Sequence, residues 1–357
     1  MSRVLLKNVV KKYGDVTAVH ELNLEVQDGE FLTLLGPSGC GKTTTLRLIA
    51  GFISPNQGTI FLGDHDVTQV APQHREIGMV FQDYALFPHM TIFENIEFGL
   101  KERRYDKKSI QPRVEELLEL IRLPEVANRY PAEVSGGQQQ RIAVARAVAY
   151  PPQVLLMDEP LGALDLKLRE TMQVELRRIQ KELQITTVYV THDQTEAMNM
   201  SDRIVVMNDG RIQQMGTAQD IYNKPDTRFV ADFVGQINLL DGRIISESVN
   251  RYTVETLFGQ FEVPRVSSRI DMNQEVSIGI RPESLVVAGD AGDMSARNEI
   301  GGEIVAKTFA GNLAKVVIDI GSEKQFVLES RPGEIQGEVG EKIIVTWESD
   351  IVIVLTK

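Results

Sequence analysis

Apolar and polar residues alternate in short stretches over the first 35 positions. In LNLEV, Leu22, Leu24 and Val26 share one face; the run ends at the turn signal Asp28-Gly29, and FLTLL follows at 31–35. FLTLL, VLLM at 154–157 and TTVYV at 186–190 are short, nearly continuous apolar runs. That pattern predicts strands buried on both faces of a parallel sheet. Helical spacing at 42–51, 138–150 and 167–183 lies between them, so strands and helices alternate as in an α/β core. Near 203–214, RIVVM and RIQQM flank Asn-Asp-Gly and predict a hairpin.

Between roughly 90 and 140 the character changes. IQPRVEELLELIRL, at 110–123, is amphipathic and helical by spacing, which marks 90–140 as a helical insertion in the core. From about 240 onward, RYTVETL, QEVSIGI, AKVVIDI, EKIIVTW and DIVIVL are separated by Gly, Asn, Asp and Pro. This spacing predicts a small all-β module. The expected organisation is a nucleotide-binding domain over 1–235 and a β-rich domain over 236–357, with 217–240 as the connector.

Composition narrows the classes. The net charge of −12 argues against a general nucleic-acid binder, whose footprint is a basic excess. A single cysteine, Cys40, excludes a disulfide framework and fits a reducing compartment. The N-terminus is too polar for a signal peptide, and no apolar run approaches the ~20 residues that span a bilayer. The expectation is a cytoplasmic chain that reaches any membrane through a partner.

GPSGCGKT, at 36–43, fits G-x-x-x-x-G-K-[ST] with a strand before it and a helical pattern after. Glycines let backbone N–H groups close around phosphate oxygens, and the helix behind presents its positive end to the anion. The loop Gly36, Pro37, Ser38, Gly39, Cys40, Gly41, with Lys42, Thr43 and Thr44 after it, is therefore the candidate nucleotide cradle. Lys42 would reach the β- and γ-phosphates, and the Thr43 hydroxyl a Mg2+ ion. Cys40 raises a redox reading beside the plainer one, a small side chain at a tight loop.

VLLMDEP, at 154–160, ends an apolar run on two carboxylates, at the sheet edge where α/β ligands bind. Asp158 is the candidate Mg2+ partner and Glu159 the candidate base for a water molecule. His192, at the end of VYVTHDQ, is either a γ-phosphate contact or a structural strand-end histidine. Gln82, at the end of VFQDY, is a candidate for water or metal. Tyr13 is a candidate for stacking on adenine. In EVSGGQQQRIAVARA, Ser135 and Gln138 fit a capping box, and Gly136 and Gly137 leave the backbone bare to an anion. Both a plain helix cap and a second anion cradle satisfy that pattern. A second cradle suggests two chains sharing two nucleotides. Gln139 and Gln140 have no role in this reading.

Taken in order, Tyr13, GPSGCGKT, Gln82, VSGGQ, VLLMDEP, GALD at 162–165 and THD with His192 resemble the nucleotide-binding subunits of ATP-binding cassette (ABC) transporters over residues 1 to about 235. The resemblance implies a P-loop ATPase that works with Mg2+ as a head-to-tail homodimer, at the cytoplasmic face of the membrane. Ser135, Gly136, Gly137 and Gln138 would meet the nucleotide held by the other chain's Lys42, and Asp165 would lie at the seam. Glu159 would be the base and His192 the γ-phosphate contact. The 90–130 region would dock on one of two permease subunits, with DYALFPHMT at 83–91 near the coupling surface, and a solute-binding protein would act through the permease. Val134 and Gly162 depart from the commoner Leu and Ser of the family. The tail, with IGIRPESLVV at 278–287 and IVAKTFAGN at 304–312, resembles the transport-associated OB-fold modules of importer ATPases. EFLTLLGPSGCGKTTTLRLIAGF and YALFPHMTIFENIEFGL are most like spermidine/putrescine importers and their iron(III), sulfate and phosphonate relatives, with maltose-type importers further off.

Three other classes fit less well. ABC ATPases acting on DNA or the ribosome carry coiled coils or two cassettes, exporter halves carry fused membrane segments, and a purely regulatory module would not need Lys42, Asp158, Glu159 and His192 together.

Overall fold

A hairpin of two long strands, β1 (Val4–Tyr13) and β2 (Val16–Val26), leads into β3 (Phe31–Leu35), whose five residues are all buried. The computed structural model describes residues 2–265, 270–288, 297–335 and 337–356. After β3 come α1 (Lys42–Ala50), β4 (Gln57–Leu62), β5 (His65–Asp66) and β6 (Ile77–Val80). Three helices follow, α2 (Ile92–Glu102), α3 (Lys107–Leu120) and α4 (Gly136–Val148). The chain then alternates through β7 (Val154–Asp158), α5 (Leu166–Leu183), β8 (Thr186–Thr191) and α6 (Gln194–Met200). It closes the first unit with β9 (Arg203–Asn208) and β10 (Arg211–Gly216).

Two sheets result. One has the order β2-β1-β4-β5 and is antiparallel; the other has the order β10-β9-β3-β8-β7-β6. In the second, β9, β3, β8, β7 and β6 run parallel, and β10 alone is antiparallel. The apolar runs are continuous because each strand serves two cores. Leu32, Leu34, Leu156, Val188 and Val190 face a core shared with α1 and the antiparallel sheet. Phe31, Leu155, Met157 and Tyr189 face the other core, shared with α2 to α5. This is the α/β architecture expected from the spacing.

Local signals set the helix ends. Thr91 and Glu94 form a reciprocal capping box at α2, and Ser135 and Gln138 form one at α4. The Asn-Asp-Gly segment turns with Asp209 and Gly210 at φ 47° and 70°, which suits the two-residue hairpin between β9 and β10.

The chain divides into two units between Ala218 and Gln219, upstream of the boundary after 235 drawn from composition. Two short helices, α7 (Ala218–Asn223) and α8 (Arg228–Phe233), precede the strands of the second unit. These are β11 (Asn238–Glu247), β12 (Arg251–Thr256), β13 (Gly259–Pro264), β14 (Glu275–Ile280) and β15 (Val286–Val287). They continue as β16 (Arg297–Phe309), β17 (Ala314–Gly321), β18 (Lys324–Ser330), β19 (Lys342–Glu348) and β20 (Ile353–Thr356). Two five-stranded antiparallel sheets form, ordered β13-β12-β11-β14-β20 and β15-β19-β16-β17-β18. Buried Trp347 packs between Phe261 and Phe326 in their common core.

Arg281 explains why the connector joins the second unit. This residue is 5% exposed, and its guanidinium donates to the carbonyls of Tyr222 (2.8 Å), Gln236 (3.1 Å) and Ala231 (3.2 Å). It also lies 4.0 Å over the Tyr222 ring, whose hydroxyl donates to Glu283 Oε1 at 2.6 Å. Burial, and then the Glu283 carboxylate, push the Tyr222 phenol up to about 12. An unfolded tyrosine ionises near pH ~10, so this latch is intact below that pH and weakens as pH rises toward ~12. Urea unfolding followed as a function of pH should show stability falling between about pH 10 and 12, less steeply in Tyr222→Phe than in the wild type. Equal slopes would remove Tyr222 from the alkaline response.

Candidate active site

The first cradle is a strand-to-helix turn with no room to spare. At Gly36 a Cβ would lie 2.2 Å from the Met207 carbonyl oxygen and 2.7 Å from Cys40 Sγ. Gly41, at φ 103°, adopts a left-handed conformation, and a Cβ there would lie 2.6 Å from the Ala18 carbonyl oxygen. The hairpin turn buttresses the loop, since Gly210 N donates to Cys40 O at 3.1 Å. Gly41 caps α1 without a side-chain hydrogen bond, so the first-turn N–H groups face the loop. Lys42 is 5% exposed, and its Nζ donates to Gly36 O at 2.7 Å and Pro37 O at 2.9 Å. Ser38 and Gly39 form the exposed crest; Thr43 and Thr44 are half-buried on the first turn of α1. Cys40 is buried with Sγ 3.8 Å from Lys42 Nζ, and burial pushes its thiol up despite that charge. A thiol held protonated is a poor redox centre, which favours the packing reading of Cys40.

The second component is the edge where β7 and β8 end. Asp158 Oδ1 accepts a hydrogen bond from Thr43 Oγ1 at 3.1 Å. Burial raises the Asp158 carboxyl, and adjacent Glu159 adds to this, against the Thr43 hydrogen bond and the charges of Arg47 and Lys42. Glu159 has φ 44°, a costly conformation for a residue with a side chain, and its N–H donates to Val190 O at 3.0 Å. The turn aims the carboxylate back along the edge, where Oε1 lies 3.2 Å from His192 Nδ1. Gln82 is exposed just beyond β6, the parallel neighbour of β7, at this same edge. Tyr13 ends β1 in the antiparallel sheet, 49% exposed, with Lys11 Nζ 5.2 Å from its ring centroid.

Ser135, Gly136, Gly137 and Gln138 belong to a different surface. Cβ atoms on Gly136 and Gly137 would meet Leu164 (3.3 Å) and Leu168 (2.9 Å), at the start of α5. Asp165 caps that helix, accepting from Leu168 N at 3.0 Å. Thus the sequence-predicted residues fall into two groups, one around Lys42, Asp158, Glu159 and His192, the other around Ser135 and Asp165.

Several neighbours escaped the sequence reading. Gln139 Nε2 donates to Pro131 O at 2.9 Å and Val134 O at 3.4 Å, tying down the turn ahead of α4. Arg146, at the far end of α4, donates to Ala85 O (2.6 Å) and Tyr84 O (2.8 Å), residues with φ 48° and 61°. Asp193 caps α6 through Thr195 N and Glu196 N, a link foreshadowed by the Asp-x-x-Glu spacing.

Residues 19–162 match the ABC transporter family and 278–355 match the TOBE domain. The spermidine/putrescine import ATP-binding protein of Haemophilus ducreyi is 45% identical over 99% of this chain and 96% of its own. The chain belongs to the ABC transporter family. This ABC ATPase is also similar to the trehalose/maltose import ATP-binding protein of Thermococcus litoralis, 47% identical over 91% of this chain and 87% of that one. That match spans less of both chains than the polyamine-type one. A solved dimeric structure of a bacterial ABC transporter cassette aligns with a TM-score of 0.54 at 35% identity, covering 60% of this chain and 98% of that one. A related post-hydrolysis dimer bound to ADP and phosphate aligns with a TM-score of 0.53 at 34% identity.

Gly36→Ala should cost about 1–3 kcal/mol of unfolding free energy through overpacking and sharply weaken ATP binding. Urea unfolding with nucleotide titration checks both; wild-type affinity would show that the loop tolerates a Cβ.

Proposed function

We propose that this ABC ATPase is the hydrolytic subunit of an importer, acting as a head-to-tail pair of identical chains on two separate permease subunits. The observation that carries the reading is the separation of two glycine-rich helix starts, one behind Gly36–Thr43 and one behind Ser135. A nucleotide held by the first leaves the second available to a nucleotide on another copy. Support also comes from the dimeric cassettes that this chain resembles.

In this reading the loop from Gly36 to Thr44, with Lys42, grips the phosphates of ATP, and Tyr13 stacks on the adenine. Thr43 and Asp158, 3.1 Å apart, are hard oxygen donors that suit Mg2+, with Gln82 as a third candidate. The ion would neutralise charge on the phosphates. Glu159 takes the proton from the attacking water, and His192, 3.2 Å away, orients that carboxylate and contacts the γ-phosphate. Ser135, Gly136, Gly137 and Gln138 of the second chain close the site, with Asp165 at the seam.

The chain then works at the cytoplasmic face of the membrane, with a solute-binding protein delivering to the permease from outside. Among the described residues no helix is long and apolar enough to cross a membrane, which accords with attachment through partners. The proposed solute is an aliphatic polyamine, on the strength of relatives spanning nearly the whole chain. The Thermococcus litoralis relative supports a second reading, sugar uptake.

Chains carrying Ser135→Arg or Lys42→Ala should be inactive alone and regain up to roughly a quarter of wild-type ATPase when mixed, because half of random pairs hold one intact site. Full activity of either variant alone would overturn the shared site. Cells lacking this chain should lose spermidine uptake, regained with the wild type and not with Glu159→Gln. Unchanged spermidine uptake with lost maltose uptake would favour the sugar reading.

A further inference from the structure

One buried cluster beside the site has no part in the chemistry above. Glu196 of α6, 2% exposed, accepts hydrogen bonds from the hydroxyls of Tyr189 (2.7 Å) and Thr191 (2.6 Å). The Thr191 hydroxyl in turn accepts from Asp193 N at 3.0 Å. Thr191 and Asp193 are the chain neighbours of His192. The backbone on both sides of the imidazole is therefore held by this cluster, while the His192 side chain itself is 60% exposed.

Arg169, on the first turn of α5, reaches the cluster from the other side. Its Nη1 donates to Asp193 Oδ2 at 3.0 Å, and its Nε lies 3.9 Å from Glu196 Oε1. Its Nη2 donates to Leu164 O at 3.0 Å, one residue before Asp165. The second Asp193 oxygen, Oδ1, accepts from Thr195 N and Glu196 N, so the carboxylate cannot follow a displaced guanidinium without uncapping α6. A guanidinium has the fork to hold a carbonyl and a carboxylate at once, whereas an ammonium is a single point charge.

We propose that Arg169 is a positioning residue that ties the 162–165 loop to His192, so that a second chain seated against Asp165 sets His192 and Glu159 for hydrolysis. The inference rests on the two-chain site proposed above. It assigns Arg169 a role in turnover and none in nucleotide affinity. A small displacement of a reacting group lowers rate far more than binding.

The test compares steady-state ATPase, ATP affinity and thermal midpoint in the full chain for the wild type, Arg169→Met, Arg169→Lys, Asp193→Asn and Glu159→Gln. Arg169→Met should lower kcat about tenfold or more with KM and thermal midpoint near wild type. Arg169→Lys should remain below wild type, since it keeps the charge and loses the fork. The double variant Arg169→Met with Asp193→Asn should be no slower than the slower single variant, as expected for two members of one link. A kcat within about twofold of wild type in Arg169→Met, additive losses in the double variant, or KM and thermal midpoint worsening in step with kcat would each overturn the proposal. If Arg169→Met does not fold, Arg169→Lys decides the matter: wild-type kcat there overturns it. Retained ATPase in Glu159→Gln would instead defeat the site reading. An inactive Glu159→Gln beside a fully active Arg169→Met would defeat this inference alone.

Discussion

Burial of β3, β7 and β8 on both faces is the constraint on which the site depends. Each apolar side chain in these strands contributes ~2 kcal/mol on leaving water, and alternate residues contribute to opposite cores. Parallel strands held this way must all release the chain at the same edge. Gly36, Glu159 and His192 leave the sheet there because neighbouring strands end together, Leu35 opposite Thr191 and Asp158 opposite Val190. Apolar packing thus assembles polar chemistry from segments more than a hundred residues apart.

The edge is also where the chain departs from easy geometry. Gly36 and Gly41 are places where backbone from another segment leaves no space for a side chain. Glu159 accepts a left-handed conformation of the kind that costs about 1–3 kcal/mol, held by its bond to Val190. The same economy appears at Tyr84 and Ala85, two successive left-handed residues whose carbonyls are both taken by Arg146. Since Arg146 lies in the last turn of the helix that Ser135 opens, Tyr84 and Ala85 are tied to the same helix as the second glycine-rich start, while Asn95 of α2 holds Phe87, Met90 and Thr91.

The second unit is organised around a different device. Arg281 spends its donors on three carbonyls of the connector, so α7 and α8 belong with the β-sheets rather than with the nucleotide fold. Their own sequences, AQDIYN and RFVADF, do not say which unit they join. A buried guanidinium from a segment some fifty residues later decides where they sit.

Much of the fold was legible in the sequence because its signals are local. Continuous apolar runs, the Ser135 and Gln138 capping pair, the Asn-Asp-Gly turn and the spacing of GPSGCGKT each express the preferences of a few neighbouring residues. They determined the strands, helices and candidate phosphate loops, and the order of motifs determined the family resemblance. Tertiary structure alone decided which of these meet. It placed Asp158 against Thr43 and Glu159 against His192, set Gly136 beside Leu164 instead, and recruited Gln139, Arg146, Arg169 and Arg281, which no motif singled out. The physical reason is that an arginine or glutamine side chain satisfies carbonyls wherever the packed backbone leaves them, and those places are fixed only when distant strands and helices have closed on a common core.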